Sequence, residues 1–226
     1  MRFGKFLFMK KTYDNFLIPP QQQLNSLLEF YQAGRYVEAE KLSLSITKEF
    51  SEHQFAWKIL GAALKQNGKI NESLAVHKKS VQLEPLDREA HNNLGVILQE
   101  LGKLEEAEAS SRKAIALKPD YVEAHFNLGN ILKALQKFDD AEESYKKAIA
   151  LKPDYAEAYY NLGVICQEQC RLEEADASYR KVITLKPDYV EVYSNLGNIM
   201  IELGRLNEAE VSFRKAIELK PDFFDA

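Results

Sequence analysis

Leu117-Lys118-Pro119-Asp120-Tyr121 returns as Leu151-Lys152-Pro153-Asp154-Tyr155 and again as Leu185-Lys186-Pro187-Asp188-Tyr189. The step is 34 residues, and prolines 85, 119, 153, 187 and 221 all keep it. Outward from this phrase, Asn-Leu-Gly recurs at 93–95, 127–129, 161–163 and 195–197. Self-similarity at a fixed period of this length marks an array of stacked supersecondary units, none of which buries its apolar face alone.

One period, 88–121, shows what the unit is. His91, Leu94, Gly95 and Leu98 are spaced i, i+3, i+4, i+7, which puts them on one helix face. Gly102 supplies a left-handed stop. A second helix carries Leu104, Ala107, Ser111, Ala114 and Ile115, and Pro119 ends it because proline cannot continue the helical ladder. Asp120 is placed to cap the next helix, with Glu123 three residues on. That capping-box spacing returns at Asp154/Glu157 and Asp188/Glu191. The pattern predicts an all-α chain of antiparallel hairpins. Gly61, Gly95, Gly129, Gly163 and Gly197 fall inside first helices, where each costs about 1 kcal/mol relative to alanine. Close approach of the paired helix is the expected cause. Ala39, Ala107, Ala141, Ala175 and Ala209 are the expected partners, with Ser73 in the same register.

These positions resemble the tetratricopeptide repeat, with its aromatic-x-x-Leu-Gly, Ala, aromatic, Ala, Pro skeleton. Trp57, Leu60, Gly61, Leu64 and Pro85 match it in one unit, and Tyr159, Leu162, Gly163, Ala175, Tyr179 and Pro187 in another. The expected organisation is an N-terminal extension (1–19), a degenerate repeat (20–53), repeats at 54–87, 88–121, 122–155, 156–189 and 190–223, and the start of a seventh at 224–226. In the degenerate repeat Ser26-Leu27 replaces Leu-Gly and Ser51 replaces the proline, while Gly34, Tyr36 and Ala39 hold the register. The resemblance implies an α-solenoid with a right-handed superhelical path, first helices lining a concave groove, and a role as a protein–protein interaction scaffold. A solenoid end needs a polar capping helix. Pro221-Asp222-Phe223-Phe224-Asp225-Ala226 instead begins another first helix. The expectation is that a longer protein continues there, or that another chain covers that face.

Helical geometry puts Asn93 about 200° around from His91, opposite the packed stripe. Val96 and Glu100 share that sector. The equivalents are Asn127 and Asn130; Asn161, Val164 and Glu168; and Asn195, Asn198 and Glu202. By the resemblance, these residues would line the peptide groove. An amide is both donor and acceptor, so a row at 93, 127, 161 and 195 suits an extended peptide backbone in either direction. The row is similar to the asparagine ladder in the repeat domain of O-GlcNAc transferases. The alternative is a regular polar row that is simply solvated or bonded to its neighbours. Glu89, Glu123, Glu157 and Glu191 lie in first turns, where carboxylates suit capping and the helix dipole. Chaperone-binding members of the family grip a C-terminal carboxylate with Lys, Arg and Asn on this face. Lys58 matches one element, but Glu123 and Asn127 occupy other basic places. The expected ligand is therefore a neutral or basic extended peptide.

The remaining sequence narrows the class. Hydrophobic residues make up 46% and charged residues 28%, with a formal net charge of -4, as in soluble globular proteins. A mildly acidic chain has no general attraction to nucleic acid or anionic membrane. No apolar run approaches the roughly 20 residues of a membrane helix. Arg2 and Lys5 precede Phe6-Leu7-Phe8-Met9, but that run is short, Lys10-Lys11 follows, and no cleavage site is apparent, so no signal peptide is expected. Met9 could serve as an alternative start. Two cysteines, Cys166 and Cys170, build no disulfide framework, which suggests a reducing, cytoplasmic setting. Nor do they close a zinc site, which takes four ligands. Cys166 occupies the apolar register of Leu98 and Leu132, and Cys170 the turn register of Gly102. His91 and His125 stand where Trp57 and Tyr159 stand and read as packing residues. No phosphate-binding loop, nucleophile elbow or zincin helix appears, so no catalytic residue, metal or cofactor is expected. The i, i+4 pairs Glu108/Arg112, Glu142/Lys146, Asp176/Arg180 and Glu210/Arg214 predict solvated second-helix faces. Two further readings stand beside the scaffold. One is the targeting domain of a longer bacterial glycosyltransferase or sulfotransferase. The other is a homo-oligomer assembled through the C-terminal end.

Overall fold

The structure, a computed structural model, describes residues 18–221. The readings made for the N-terminal segment up to residue 17 and for 222–226 lie outside them. Among the described residues there are twelve helices and no strand. They are α1 (Gln21–Gln32), α2 (Tyr36–Glu49), α3 (Gln54–Gln66), α4 (Ile70–Leu83), α5 (Arg88–Glu100), α6 (Leu104–Leu117), α7 (Val122–Ala134), α8 (Phe138–Leu151), α9 (Ala156–Glu168), α10 (Leu172–Leu185), α11 (Val190–Glu202) and α12 (Leu206–Leu219). Each odd-numbered helix forms a hairpin with the one after it. The fold class is all-α, a helical repeat of the solenoid type. The chain divides into two compact units, one holding α1–α6 up to Lys118 and the other holding α7–α12 from Pro119.

The turn inside each hairpin is a left-handed stop. After α5, Gly102 has φ 70°. Its N–H bonds Gln99 O at 2.9 Å and the Lys103 N–H reaches back to Leu98 O at 2.9 Å, the paired bonds of a Schellman cap. Cys170 (φ 57°) and Gln136 (φ 58°) adopt the same conformation without being glycine. The turn register read for Cys170 is therefore its structural role. Four of the second helices, α6, α8, α10 and α12, stop at the residue before a pre-proline lysine. Lys118, at φ -142° and ψ 95°, has left the helical region, as the residue before a proline does.

The capping boxes are a correction. The N-cap residues of α7, α9 and α11 are Tyr121, Tyr155 and Tyr189, and none makes a side-chain cap bond. Asp120, Asp154 and Asp188 stand one residue too early. In the Pro85-Leu86-Asp87 variant of the link an aspartate falls on the N-cap itself. Asp87 Oδ1 accepts from the N–H groups of Glu89 (2.8 Å) and Ala90 (3.2 Å).

The glycine column has a different partner from the alanines expected. A Cβ at Gly129 would lie 2.5 Å from Cε1 of Tyr145, at Gly163 2.5 Å from Cε1 of Tyr179, at Gly197 2.6 Å from Cζ of Phe213, and at Gly61 2.7 Å from Nε2 of His77. These glycines make room for a ring on the second helix, four residues beyond the alanine column. At Gly95 backbone is among the nearest atoms. Its Cβ would lie 2.7 Å from Ser111 Oγ and 3.4 Å from Ala107 O. In the first hairpin the sizes are exchanged. Leu27 stands in the glycine register and is fully buried, while Ser43 stands in the ring register and bonds Ala39 O at 2.7 Å. That exchange accounts for the degenerate sequence there. The column thus positions both helices of each hairpin and leaves the opposite face of the first helix available.

Candidate functional site

The candidate site is the solvent side of the first helices, taken within each unit. In the unit up to Lys118, Asn93 and Val96 are half-buried on α5 and Glu100 is exposed. Glu100 is an ion pair with Lys65 of α3 at 2.6 Å, so part of the expected acidity is neutralised internally. Lys58, the one match to a carboxylate clamp, is also occupied. Its ammonium bonds Asp87 at 3.0 Å and Glu89 at 2.6 Å. Burial disfavours that ammonium, but the bonds from Glu89 and Asp87 outweigh it and raise the pKa. Asp87 is likewise partly desolvated, yet Lys58 and Gln54 hold its carboxyl below the usual range.

In the unit from Pro119, the amides form a bonded row. Asn130 Oδ1 accepts from the Tyr145 hydroxyl at 2.8 Å and from Asn161 Nδ2 at 2.9 Å. Asn161 Oδ1 accepts from Lys133 Nζ at 3.2 Å. One repeat on, Asn195 Nδ2 lies 3.3 Å from the Tyr160 hydroxyl and 3.4 Å from that of Tyr179, which itself donates to Gln167 Oε1 at 2.9 Å. Asn127 and Val164 are half-buried beside this row, and Asn198, Glu168 and Glu202 are exposed. Behind the row stand packed rings. Phe126 lies 5.9 Å from Tyr145 and 4.8 Å from Tyr155, and Tyr160 lies 6.0 Å from Tyr179 and 5.2 Å from Tyr189. Burial raises the pKa of both Tyr145 and Tyr179, so their hydroxyls stay protonated as donors.

Sequence reasoning placed the amides on this face but missed what anchors them, namely the hydroxyls of Tyr145 and Tyr179. It also missed the cation at Lys133. The signal for Lys133 was a column of Lys65, Gln99, Lys133 and Gln167 on the common period.

Other candidates resolve as structure. His91 Nε2 donates to Pro85 O at 2.9 Å and His125 Nε2 to Pro119 O at 2.8 Å. Trp57 Nε1 donates to Ser51 O at 2.8 Å and the Tyr193 hydroxyl to Pro187 O at 2.9 Å in the same way. Each ring ties its helix to the link before it. Cys166 is 2% exposed in its apolar register. The expected pairs on second helices are all formed: Glu108–Arg112 at 2.9 Å, Glu142–Lys146 at 2.5 Å, Asp176–Arg180 at 2.5 Å and Glu210–Arg214 at 2.6 Å. Among the described residues no group of three or more His, Cys, Asp or Glu is arranged to hold a metal. No described helix is long and apolar enough to cross a membrane.

Helix hairpins with a half-buried amide face on one side and paired charges on the other define a helical-repeat scaffold. Two family models match, one described as TPR repeat over residues 97–136 and 129–169, the other as Tetratricopeptide repeat over residues 154–222. Together they span more than half of the chain, which belongs to the tetratricopeptide-repeat family. No curated protein matches it. Solved structures do. MamA is 26% identical, with a TM-score of 0.68 over 74% of this chain and 98% of that one. YrrB, described as a TPR protein with an unusual peptide-binding site, is 20% identical, with a TM-score of 0.65 over 80% and 93%. PilF of Pseudomonas aeruginosa is 15% identical, with a TM-score of 0.78 over 89% and 91%.

Proposed function

We propose that the chain is a scaffold that binds an extended, neutral or basic segment of a partner protein along its first-helix face. The bonded row Tyr145–Asn130–Asn161 carries this reading. Its amides are held by a buried hydroxyl and by each other, so little ordering is left to be done on binding. Among the described residues the Asn130 amide nitrogen and the Asn195 amide oxygen keep hydrogen-bonding capacity for a ligand. Glu168 and Glu202, exposed and without an ion pair formed among the described residues, supply the preference for basic side chains. Described similarity to YrrB, a protein with a peptide-binding site, agrees with a peptide ligand. The test compares proteins captured by the wild type with those captured by a variant in which Asn93, Asn127, Asn161 and Asn195 are alanine, with thermal melting to show that the variant folds. Loss of partners is expected. Recovery of the same proteins by a folded variant removes this face as the site.

A second reading has its own observation. Leu206 is 66% and Ile217 46% exposed on α12. Residues at the same registers on α6, α8 and α10 are half-buried. An apolar contact made there by a second copy would cover them. Light scattering over a concentration series would show a dimer that Leu206→Glu abolishes; a monomer at every concentration counts against it.

A further inference from the structure

Lys65 and Lys133 stand two periods apart in one column, and they are used differently. Lys65 is closed by Glu100 of the following first helix at 2.6 Å. Lys133 has the equivalent acid, Glu168, on α9, but no carboxylate among the described residues lies within ion-pairing distance of it. Among the described residues its ammonium makes one hydrogen bond, to Asn161 Oδ1 at 3.2 Å. The ammonium is half-buried, and burial lowers its pKa, with Glu168 offsetting part of that from a distance. A cation stripped of some of its water and bonded to one neutral oxygen keeps two N–H donors unused. A carboxylate from outside would complete it with charge-assisted bonds, and the free Asn130 amide nitrogen is part of the same bonded row. Further along the face the sign reverses. Among the described residues Glu168 on α9 and Glu202 on α11 are exposed acids with no formed ion pair.

We infer that the first-helix face of residues 119–221 selects a segment by its order of charge: an aspartate or glutamate on Lys133, then lysine or arginine on Glu168 and Glu202. The inference rests on the peptide-binding reading of that face. Packed helices lie about 8–10 Å apart. An extended chain advances about 3.3 Å per residue. The charged residues of the ligand are therefore spaced by about three, as acidic-x-x-basic-x-x-basic in one of the two chain directions. Such a segment is net basic and still needs its one acid.

The experiment uses fluorescein-labelled dodecapeptides of Gly, Ser and Ala that carry Glu-x-x-Arg-x-x-Arg or its reverse, and the same pair with Gln for Glu. Fluorescence anisotropy is read with the wild type and with Lys133→Gln. Glutamine already occupies this register as Gln99 and Gln167, so the variant keeps the fold. One Glu peptide is expected to bind the wild type about fivefold more tightly than its Gln counterpart, and Lys133→Gln is expected to erase that difference without weakening the Gln peptide. Equal binding of Glu and Gln peptides to the wild type overturns the Lys133 site and leaves the peptide-binding face standing. An equal loss for both peptides on Lys133→Gln shows a purely structural lysine and also overturns it. No saturable binding by any peptide overturns both the site and the peptide-binding face.

Discussion

Tyr145 and Tyr179 explain both the glycine column and the amide row. Each ring fills the space a Cβ would take on the facing helix, and each hydroxyl reaches through to the solvent side. Gly129→Ala and Gly163→Ala should each cost about 1–3 kcal/mol, because a ring buried on all sides cannot yield. Gly95→Ala should instead range from neutral to about 1 kcal/mol more stable, since the Ser111 hydroxyl can rotate away and alanine is the better helix former. Urea melts of the three variants check this contrast. His77 fills the same space against Gly61 at a cost in pH range. Burial, with Lys65 adding repulsion, pushes its pKa down from 6.5 to about 4. Below pH 6.5 the unfolded chain takes up a proton that the native one refuses until about 4, so stability present at neutral pH is lost as pH falls through that window. Phenylalanine stands at this register as Phe213. Between pH 7 and 5 the wild type should therefore lose about 2 kcal/mol more than His77→Phe, read from melts at both pH values. The column itself was legible in the sequence. Its partner was not, because the alanine and ring columns share one period and only distance separates them.

Helix ends show the same mixture at the scale of elements. Stops were legible, since proline and a left-handed turn residue act on the backbone locally. Starts were misread by one residue, because in the Pro-Asp-Tyr link the tyrosine becomes the N-cap. The consequence is a sharp difference between two aspartates. Asp87→Ala should cost about 1–2 kcal/mol, as it removes a true cap together with a partner of Lys58. Asp120→Ala should change stability by less than about 0.5 kcal/mol. Cys170→Gly, which relieves a left-handed non-glycine residue, should add about 0.5–1 kcal/mol, and thermal denaturation of the three variants decides.

Across the array, charge pairs join successive hairpins inside each unit. Glu40 bonds Lys69 at 2.7 Å, Asp176 meets Arg205 at 3.5 Å, and Glu142 is held by Arg171 as well as by Lys146. Glu142 and Asp176 are bound both along their own helix and from the next hairpin, and Glu40 from the next hairpin through Lys69 and Asn67, which commits the second-helix faces to holding the hairpins of each unit together. The first-helix faces keep amides and charges to spare. This division was half legible: the i, i+4 pairs follow from spacing along one helix, whereas the contacts to the next hairpin depend on how neighbours are offset. The central claim is that recognition occurs on the first-helix face. A photo-crosslinking residue at Val164, on that face, and another at Ala177, exposed on α10, test it most directly in cells. The account predicts a partner adduct from position 164 and none from 177; an adduct from 177 alone, or equally from both, would contradict it.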